Sequence, residues 1–413
     1  MRSDMRSRGT RIAATKPPRR ACASRGTNRA ARPRALPATS TTNLSFPFRH
    51  GFIMRIAQVA PLYESVPPSA YGATERVVSY LTEELVRRNH DVTLYASADS
   101  ATRAKLVPVC ERGLWRDAAV WDTLTHHVRQ LALVARDADA FDIVHFHGDP
   151  LHFALADSLA CRTLTTLHGR LLPVDHGPLF RQCPFAPLVS ISNSQRKPVA
   201  WANWQRTVHH GLPIDEFDFE PAGDSYLLFL GRMMPEKRPD LAIEIARRAG
   251  MPLKVAAKVH PGEREYFRQQ VEPLLQRSRD FVDYLGEIGG HVRKQVLAHA
   301  RALLFPIEWD EPFGLTLIEA MACGTPVIAF HRGAIPEIVE HGVNGFMVDN
   351  VDEAVAAVAR LDEIDRAACR RSFEARFSAA RMTDDYLQAY EAVLATPPRT
   401  AASAAACDTA FGR

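Results

Sequence analysis

Short apolar runs alternate with amphipathic stretches along most of the chain. The first apolar run, residues 55–60, leads into a loop rich in Pro and Gly that ends at Gly72. The next stretch repeats its apolar positions at the spacing of one helix face, which predicts a helix. Those positions are Val77, Val78, Leu81, Leu85 and Val86.

The same alternation predicts two sets of strands. In the first half we expect strands at residues 55–60, 91–97, 141–146, 163–167, 188–191 and 207–210. After a polar linker at residues 220–224, we expect strands at 226–230, 253–257, 281–285, 302–305, 326–330 and 346–348. A final helical stretch is predicted at residues 368–394. Strands that alternate with helices indicate parallel sheets covered on both faces, so the predicted fold class is α/β with two Rossmann-like, doubly wound domains facing a cleft.

The two ends of the chain differ in composition from the rest. Residues 1–53 contain eleven Arg and one Lys against one acid, Asp4, a formal balance of +11. Subtracting this from the +4 of the whole chain leaves −7 for residues 54–413, so the basic total does not support nucleic-acid binding. We expect residues 1–53 and 396–413 to be disordered. The leader is either an extension upstream of a true start at Met54 or a transit-like segment.

Two further features of composition exclude classes of protein. No run of eighteen or more apolar residues occurs, so we expect no transmembrane helix. The seven cysteines are scattered without a C-x-x-C pair, which argues against a zinc site or a disulfide framework and favours a cytoplasmic location. They occupy positions 22, 110, 161, 183, 323, 369 and 407.

The segment 311–327 carries two acids, Glu311 and Glu319, on either side of a predicted helix start. Pro312 pushes the residue before it toward extended geometry, so we place Glu311 on a loop and Glu319 inside a helix that begins near Gly314 or Leu315. Free N–H groups at a helix N-terminus favour an anion. An acid one or two turns into the helix can reach hydroxyl groups beside that anion. An anion next to a polyol indicates a nucleotide sugar.

This segment, EPFGLTLIEAMACGTPVIA, resembles the signature of the family-4 retaining glycosyltransferases, which have the GT-B fold. The resemblance covers about residues 54–395. It implies an acceptor-side domain at 54–220, a nucleotide-sugar-binding domain at 221–378, and a helix at 379–395 that crosses back to the first domain. Residues 67–78 also resemble bacterial UDP-glucose-dependent glucosyltransferases, some of which are described as acting on tetrahydrobiopterin.

The resemblance assigns roles to residues of the second half. Glu311 matches the acid that contacts the hydroxyl groups of the donor sugar, and Glu319 matches the acid that binds the ribose. Arg232 and Lys237, after the first strand of this half, match the pair that holds the diphosphate. Backbone groups around these acids are expected to face the phosphates; they belong to Phe313, Gly314, Leu315 and Thr316.

Several further positions in the two halves match family motifs. Gly72 begins a glycine loop in which Ala73 replaces the second glycine, and a plain turn before a helix is the alternative interpretation. His168 matches the histidine that reaches the transferred sugar, with a buried structural histidine as the alternative. Residues 331–337 resemble the loop that closes over the donor, with Ala334 where a second glycine is common.

Other histidines carry weaker signals. His145 and His147 alternate on one face of a strand, and we expect them to line the acceptor side of the cleft rather than to bind a metal. The pairs His126-His127 and His209-His210 show no ligand pattern and are interpreted as structural or surface residues.

Together these features predict an enzyme that transfers a sugar, glucose as first choice, from a nucleoside diphosphate sugar such as UDP-glucose to a hydroxyl acceptor with retention. We expect no cofactor and no metal, because Arg232, Lys237 and a helix N-terminus supply positive charge. The Asp137-Ala-Asp139 spacing is placed in a polar loop. The expected partners are the donor and a small-molecule or glycan acceptor, without nucleic acid; peripheral membrane contact and acceptor identity stay open.

Four alternatives remain beside this prediction. A GT-B epimerase would release nucleotide without an acceptor, and a phosphorylase would need a cofactor lysine that no motif provides. A catalytically silent nucleotide-sugar-binding protein is the alternative outside the enzymes. A dehydrogenase would need a G-x-G-x-x-G motif after the first strand, which is missing from this sequence.

Overall fold

The computed structural model of the protein describes residues 53–155, 159 and 162–396. The predictions for residues 1–52 and 397–413 lie outside these described residues, as do the cysteines at positions 22, 161 and 407. The described chain forms two parallel sheets, each with helices on both faces, as the alternation of apolar runs predicts.

The first sheet has seven strands. They are β1 (Arg55–Val59), β2 (Asp91–Ala96), β3 (Lys105–Pro108), β4 (Ile143–Phe146), β5 (Arg162–Leu167), β6 (Leu188–Ser190) and β7 (Trp204–Thr207). Their order is β3-β2-β1-β4-β5-β6-β7, and all neighbours pair in parallel. The core strands β1 and β4 are almost fully buried, which explains their continuous apolar runs.

Both edges of this sheet depart from the sequence prediction. The prediction of a strand at residues 207–210 is wrong, because β7 lies at Trp204–Thr207 and Val208 already packs in the core below the sheet. All four residues of β7 are half-buried, and a polar edge strand gives little apolar signal. The opposite edge, β3, has no counterpart among the predicted strands, because its apolar run is only Leu106 and Val107.

The second sheet has six strands. They are β8 (Leu227–Arg232), β9 (Leu253–Lys258), β10 (Val282–Gly286), β11 (Ala302–Phe305), β12 (Val327–Phe330) and β13 (Gly345–Val348). Their order is β10-β9-β8-β11-β12-β13, again with all neighbours parallel. Each of the six lies within a residue or two of its predicted position.

Helices cover the faces of both sheets. They are α1 (Ala73–Arg87), α2 (Thr123–Asp137), α3 (Pro173–Gln182), α4 (Asn193–Arg196), α5 (Pro239–Ala249), α6 (Arg264–Tyr266), α7 (Glu272–Arg277), α8 (Gly290–His299), α9 (Leu315–Ala322), α10 (Ile335–Ile338), α11 (Val351–Val358), α12 (Arg366–Arg376) and α13 (Ala379–Ala395). The helix expected near Gly314 or Leu315 is α9. The placement of Asp137 and Asp139 in a loop is wrong, since α2 ends at Asp137 and a 3-10 turn follows.

The predicted single helix at residues 368–394 is two helices, α12 and α13. The chain bends at Phe377 and Ser378, where the backbone exchanges two hydrogen bonds with Leu212: the Leu212 amide donates to Phe377 O over 2.9 Å and the Ala379 amide to Leu212 O over 2.8 Å. The Ser378 hydroxyl accepts from the Arg381 amide and so caps α13. Helical periodicity continues through the bend, which is why the sequence does not show it.

Helix α13 then packs on the first sheet. Its side chains Tyr386 and Tyr390 are fully buried and bond to residues of β1, β4 and β5. A single core cluster contains apolar side chains of both sheets together with α9 and α13. The loops that follow the strands of both sheets thus line a common cleft.

Candidate active site

A cavity of about 140 Å³ lies between the two domains, and we call it the small cavity. It brings together most of the residues predicted to bind the donor. These are Gly72, Arg232, Lys237, Glu311, Gly314, Leu315, Thr316 and Glu319. Phe313 does not line it; that ring is buried and contacts His210 at a centroid distance of 4.7 Å. His168 lines a neighbouring cavity of about 420 Å³, the large cavity.

Glu311 lies on the loop after β11, as predicted. Its Oε2 accepts hydrogen bonds from Lys237 Nζ at 2.5 Å and from the indole N–H of Trp309 at 3.0 Å. The ammonium of Lys237 also lies 5.1 Å from the centroid of the Trp309 ring, a cation–π distance. Glu311 and Lys237 are therefore held as a pair at one wall of the small cavity, and Trp309 is a site residue that the sequence did not reveal.

The loop after β12 closes tightly over Glu311. Gly333 has φ +56°, and a Cβ at this position would lie 2.3 Å from the Glu311 amide nitrogen, so only glycine fits. The amide of Ala334 donates to Glu311 O over 2.9 Å. Ala334 itself has φ −83° and ψ 0°, a turn conformation with negative φ that does not need glycine. The glycine requirement of this loop therefore lies at position 333, and Ala334 causes no backbone strain.

In the glycine loop of the first domain, the position whose backbone requires glycine is also occupied by glycine. Gly72 has φ +152°, and a Cβ there would lie 2.7 Å from the Pro68 Cβ. Ala73 is the first residue of α1 and has a helical backbone. The position that needs glycine is again occupied by glycine, and the replacement at 73 leaves the backbone unchanged.

Arg232 ends β8 at the boundary between the small and large cavities. Its guanidinium contacts the Glu263 carboxylate and lies 6.0 Å from the Tyr71 ring centroid. The Arg232 Nε–H is buried and has no hydrogen-bond partner among the described residues. An unpaired buried donor of a charged group is costly, and a phosphate oxygen is a ligand that would satisfy it.

Glu319 lies on α9 and is fully buried. Both of its carboxylate oxygens bond to Arg293 of α8, one of them at 2.7 Å from Nη1. The pair lines the small cavity. Arg293 was not predicted as a site residue, because its partner is 26 positions away and no motif surrounds it.

His168 ends a chain of buried hydrogen bonds that starts on α13. Tyr390 Oη accepts from Gln58 Nε2 at 3.0 Å, and Gln58 Oε1 bonds to His147 Nε2 at 2.6 Å. His147 Nδ1 bonds in turn to His168 Nε2 at 3.1 Å. Side chains of the last helix and of the first strand thereby support the candidate catalytic histidine.

The partners in this chain of hydrogen bonds determine which ring nitrogens of His147 and His168 carry a proton. Burial lowers the pKa of His147 well below its ordinary value and lowers the pKa of His168 to about 3, so both rings are neutral. Gln58 Oε1 can only accept, so the proton of His147 is on Nε2 and its Nδ1 accepts from His168 Nε2–H. His168 Nδ1 is then an acceptor, buried and without a hydrogen-bond partner among the described residues.

Of the two alternating histidines, one is buried in the core and the other reaches the cleft. His145 is fully buried and bonds to Tyr390 and Thr166 through its two ring nitrogens, so it does not line the acceptor side as expected. His147 is also buried, although it reaches the large cavity. Within the described residues, no group of three or more His, Cys, Asp and Glu side chains is arranged to hold a metal ion.

The pairs interpreted as structural or surface histidines are placed as follows. His127 lines the large cavity. His210 stacks on His168 at a centroid distance of 5.3 Å, and His209 bonds to Glu337 at 3.1 Å.

Comparison with known proteins places this arrangement in a class. Two family models match successive parts of the chain, one described as Glycosyltransferase Family 4 over residues 74–210 and one described as Glycosyl transferases group 1 over residues 214–373. The structure is similar to that of Anabaena HepE in complex with UDP-glucose, with a TM-score of 0.63, 16% identity, and coverage of 82% of this chain and 100% of that chain. The two family models, together with two parallel-sheet domains around one cleft, define a glycosyltransferase of the GT-B fold.

The chain carries the two domains of a glycosyltransferase, one matched by the Glycosyltransferase Family 4 model and the other by the group 1 model. A D-inositol 3-phosphate glycosyltransferase of Thermobispora bispora is 30% identical over 264 residues, 59% of each chain. The protein of the same description from Mycolicibacterium smegmatis is 27% identical over 378 residues, 77% of this chain and 87% of the relative. The chain spans only 59% and 44% of the length of the first two relatives it matches. In the described part of the chain, no helix combines the length and apolar character needed to cross a membrane.

Proposed function

We propose that this protein transfers a hexose, glucose as first candidate, from a nucleoside diphosphate sugar to a hydroxyl acceptor with retention of configuration. The observation that carries the proposal is the convergence of Arg232, Lys237 and the first turn of α9 on the small cavity, together with Glu311 and Glu319. Two cations and a helix N-terminus suit a diphosphate. The two carboxylates suit the hydroxyl groups on either side of it.

The proposed reaction exchanges one carbon–oxygen bond for another. The bond between the anomeric carbon and the diphosphate oxygen breaks, and Arg232 and Lys237 stabilise the negative charge that develops on the leaving group. An acceptor hydroxyl attacks from the same face and passes its proton to the departing phosphate oxygen. Glu311, fixed by Lys237 and Trp309, orients the donor sugar through its hydroxyl groups.

Diphosphate binding competes with contacts inside the protein. Arg232 contacts Glu263 and Lys237 contacts Glu311, so each cation has a carboxylate partner already. The positive charge of the pair is supplemented by the amides of Leu315 and Thr316, which lie in the first turn of α9, where N–H groups have no partner inside the helix. This arrangement supports a reaction in which no metal is required.

A thermal-shift panel without metal tests the proposal. UDP-glucose, UDP-N-acetylglucosamine, ADP-glucose, GDP-mannose and the bare nucleotides are each compared with buffer. A ligand at about a hundred times its Kd stabilises by about 2.7 kcal/mol, a shift of a few degrees. UDP-glucose, which HepE was solved with, is the donor expected to give the largest shift. If no nucleotide sugar shifts the midpoint of well-folded protein, the proposal fails.

Turnover separates transfer from the alternatives. A transferase releases nucleotide in proportion to added acceptor, whereas an epimerase releases it without acceptor. A silent binding protein shifts in the thermal panel and releases no nucleotide under either condition.

A further inference from the structure

His168 presents one ring nitrogen to the large cavity without a protein partner. The large cavity shares Tyr71, Gly72 and Arg232 with the small cavity, so a sugar on a diphosphate in the small cavity can extend past this common wall toward His168. Nε2 of His168 is occupied by His147 at 3.1 Å, whereas Nδ1 is buried and unpaired among the described residues. Whether Nδ1 is an acceptor or a donor decides which groups of a sugar it can bind.

The hydrogen-bond chain that ends at His168 extends beyond Tyr390 to a second tyrosine of α13. Its members, in order from the cavity, are His168, His147, Gln58, Tyr390, His145, Thr166 and Tyr386. Every member except His168 is at most 2% exposed, so each polar atom depends on its neighbour in the chain. Burial lowers the pKa of His145, as it does that of His147, so each ring is neutral and carries one proton.

The direction of the hydrogen bonds is set at the α13 end of this chain. Thr166 Oγ1 donates to Tyr386 Oη over 3.1 Å, so it accepts from His145 Nε2 at 2.8 Å. His145 then has its lone pair on Nδ1, which accepts from the Tyr390 hydroxyl at 2.8 Å. A phenol has a single hydrogen, so Tyr390 Oη in turn accepts from Gln58 Nε2 at 3.0 Å. Each hydrogen bond thus dictates the direction of the next.

Gln58 transmits this direction to the histidine at the cavity. A glutamine amide can present either its oxygen or its NH₂ group to a neighbour. Because Tyr390 takes the NH₂ group, Gln58 Oε1 faces His147 Nε2 at 2.6 Å. With the amide reversed, the NH₂ group would donate to His147 Nε2, and the protons of His147 and His168 would both move to Nδ1. His168 would then meet the substrate with a donor in place of an acceptor.

We propose that Gln58 and Tyr390 are positioning residues that keep the proton of His168 on Nε2, so that its Nδ1 accepts a hydrogen bond from a hydroxyl group of the transferred sugar. This inference rests on the proposed function and adds a requirement on the donor: the group that meets His168 has to donate a hydrogen. Neither Gln58 nor Tyr390 lines the small or the large cavity, so both act through His147.

Nitrogen NMR of isotopically labelled histidine rings reads the position of this proton. In the full chain at neutral pH, the signal that is lost in His168→Gln is expected to show a protonated Nε2 and an unprotonated Nδ1. Gln58→Met removes the acceptor of the His147 proton, and Tyr390→Phe allows the Gln58 amide to turn. Both variants are therefore expected to give a mixture of the two His168 tautomers.

A second buried glutamine of the first domain provides the matched control. Gln130 is 3% exposed, and its amide donates to two backbone oxygens outside the hydrogen-bond chain. Gln130→Met should leave the His168 signal unchanged, even if it lowers the thermal midpoint as much as Gln58→Met does. A proton on Nδ1 of His168 in the wild type overturns the inference, and so does a wild-type His168 signal in folded Gln58→Met and Tyr390→Phe.

Turnover with altered donors tests the consequence for the substrate. The nucleotide sugar that gives the largest thermal shift is compared with analogues in which one sugar hydroxyl at a time is replaced by fluorine. The analogue altered at the position that meets His168 is expected to lose at least about tenfold in kcat/KM, because fluorine donates no hydrogen. Gln58→Met should lower kcat for the natural donor by about two- to tenfold and reduce the penalty for that analogue, with unchanged affinity for UDP.

The two proposals fail in different ways. If every analogue shows the same kcat/KM ratio to the natural donor in Gln58→Met as in wild type, the role of Gln58 is wrong. If wild type binds no UDP and turns over no nucleotide sugar, the proposed function is wrong, whereas the NMR result on the free protein stands by itself.

Discussion

Lys237 and Glu311 form a direct contact between a cation and a carboxylate of the site. Their 2.5 Å contact fixes both side chains, and the Trp309 ring borders both of them. A lysine that is already positioned beside the reacting groups does not have to reorganise when charge develops on the diphosphate. Lys237 is therefore expected to act on the rate more than on donor affinity.

We predict that Lys237→Ala lowers turnover of the donor by about 10²- to 10³-fold, the usual effect of removing one charge-stabilising group. Nucleotide release is the measurement, and the thermal midpoint checks that the variant folds. Lys105→Ala changes an exposed lysine of β3 and is the control. A Lys237→Ala variant with the wild-type rate would remove Lys237 from the mechanism.

The Glu319–Arg293 pair has a stability consequence that can be measured separately from activity. Arg293→Met leaves the fully buried Glu319 carboxylate without its partner, and removing one member of a buried pair costs about 3–5 kcal/mol. Chemical denaturation of the variant is the measurement.

Two matched variants show whether the pairing is the cause. Arg360→Met breaks the exposed pair with Glu363 and should leave the midpoint unchanged. Adding Glu319→Gln to Arg293→Met should recover part of the loss, because the uncompensated charge is then gone. Equal losses in the single and double variants would contradict this explanation.

Among the secondary elements, those with strong local patterns were predictable and those defined by distant partners were not. The buried strands of both sheets and the start of α9 follow from apolar runs and from Pro312 and Gly314. The edge strand β7 is polar and was misplaced, and the bend between α12 and α13 depends on hydrogen bonds to Leu212, which is 165 positions earlier than Phe377. The sequence around the bend does not indicate such a distant partner, so the bend could not be predicted from it.

The residues of the candidate site also fall into two groups, those that the sequence predicted and those that it did not. Glu311, Glu319, Arg232 and Lys237 lie in recognisable motifs, and the structure brings these four to one cavity. Arg293 and Gln58 contact predicted site residues or their supports through long-range bonds and have no motif around them. A side chain that acts through another residue has no motif around it, so the sequence alone does not identify it as part of the site.

Helix α13 provides a prediction at this scale. Tyr390 Oη accepts from Gln58 Nε2 and donates to His145 Nδ1 at 2.8 Å, so Tyr390→Phe leaves two buried polar groups unpaired. We expect a loss of about 1–3 kcal/mol in the free energy of unfolding. Denaturant unfolding measures it, with Tyr284→Phe, a partly exposed tyrosine of β10, as the control. Equal stability of Tyr390→Phe and wild type would mean that the network is not formed.

For the whole molecule, one side of the cleft is joined by direct bonds between the domains. The Ser192 hydroxyl donates to Pro312 O over 2.6 Å. Beside it, Glu337 of the second domain accepts from the amides of Asn193 and Ser194 at 2.8 and 2.7 Å. These contacts hold the start of α4 against the two loops that carry Glu311 and Gly333, so domain position and site geometry are connected.

This connection depends on pH through Glu337. Burial alone would raise the pKa of this carboxyl, but hydrogen bonds from His209 and from the Asn193 and Ser194 amides outweigh it, and the pKa is lowered. A lowered carboxyl pKa contributes stability above the unfolded-state pKa, roughly 4.3, and that contribution is lost as the pH falls through the folded-state value.

We therefore predict that the thermal midpoint of Glu337→Gln lies below that of wild type at neutral pH and that the difference shrinks as the pH falls below about 4. Calorimetry from about pH 7 to pH 3 is the measurement. Glu111→Gln, at an exposed position, should follow the wild-type curve throughout. A difference that stays constant across this range would show that the charge of Glu337 is not its cause.

The return of α13 to the first sheet also governs how the protein is made. Gln58 and Tyr390 are 332 positions apart, so a ribosome adding about 5–20 residues per second needs roughly 17–66 s between them. During that interval the first sheet lacks the helix that covers part of its apolar surface. Nascent chains of this protein should therefore need shielding by chaperones until α13 has been made, and a product truncated before Ala379 should be removed by proteases.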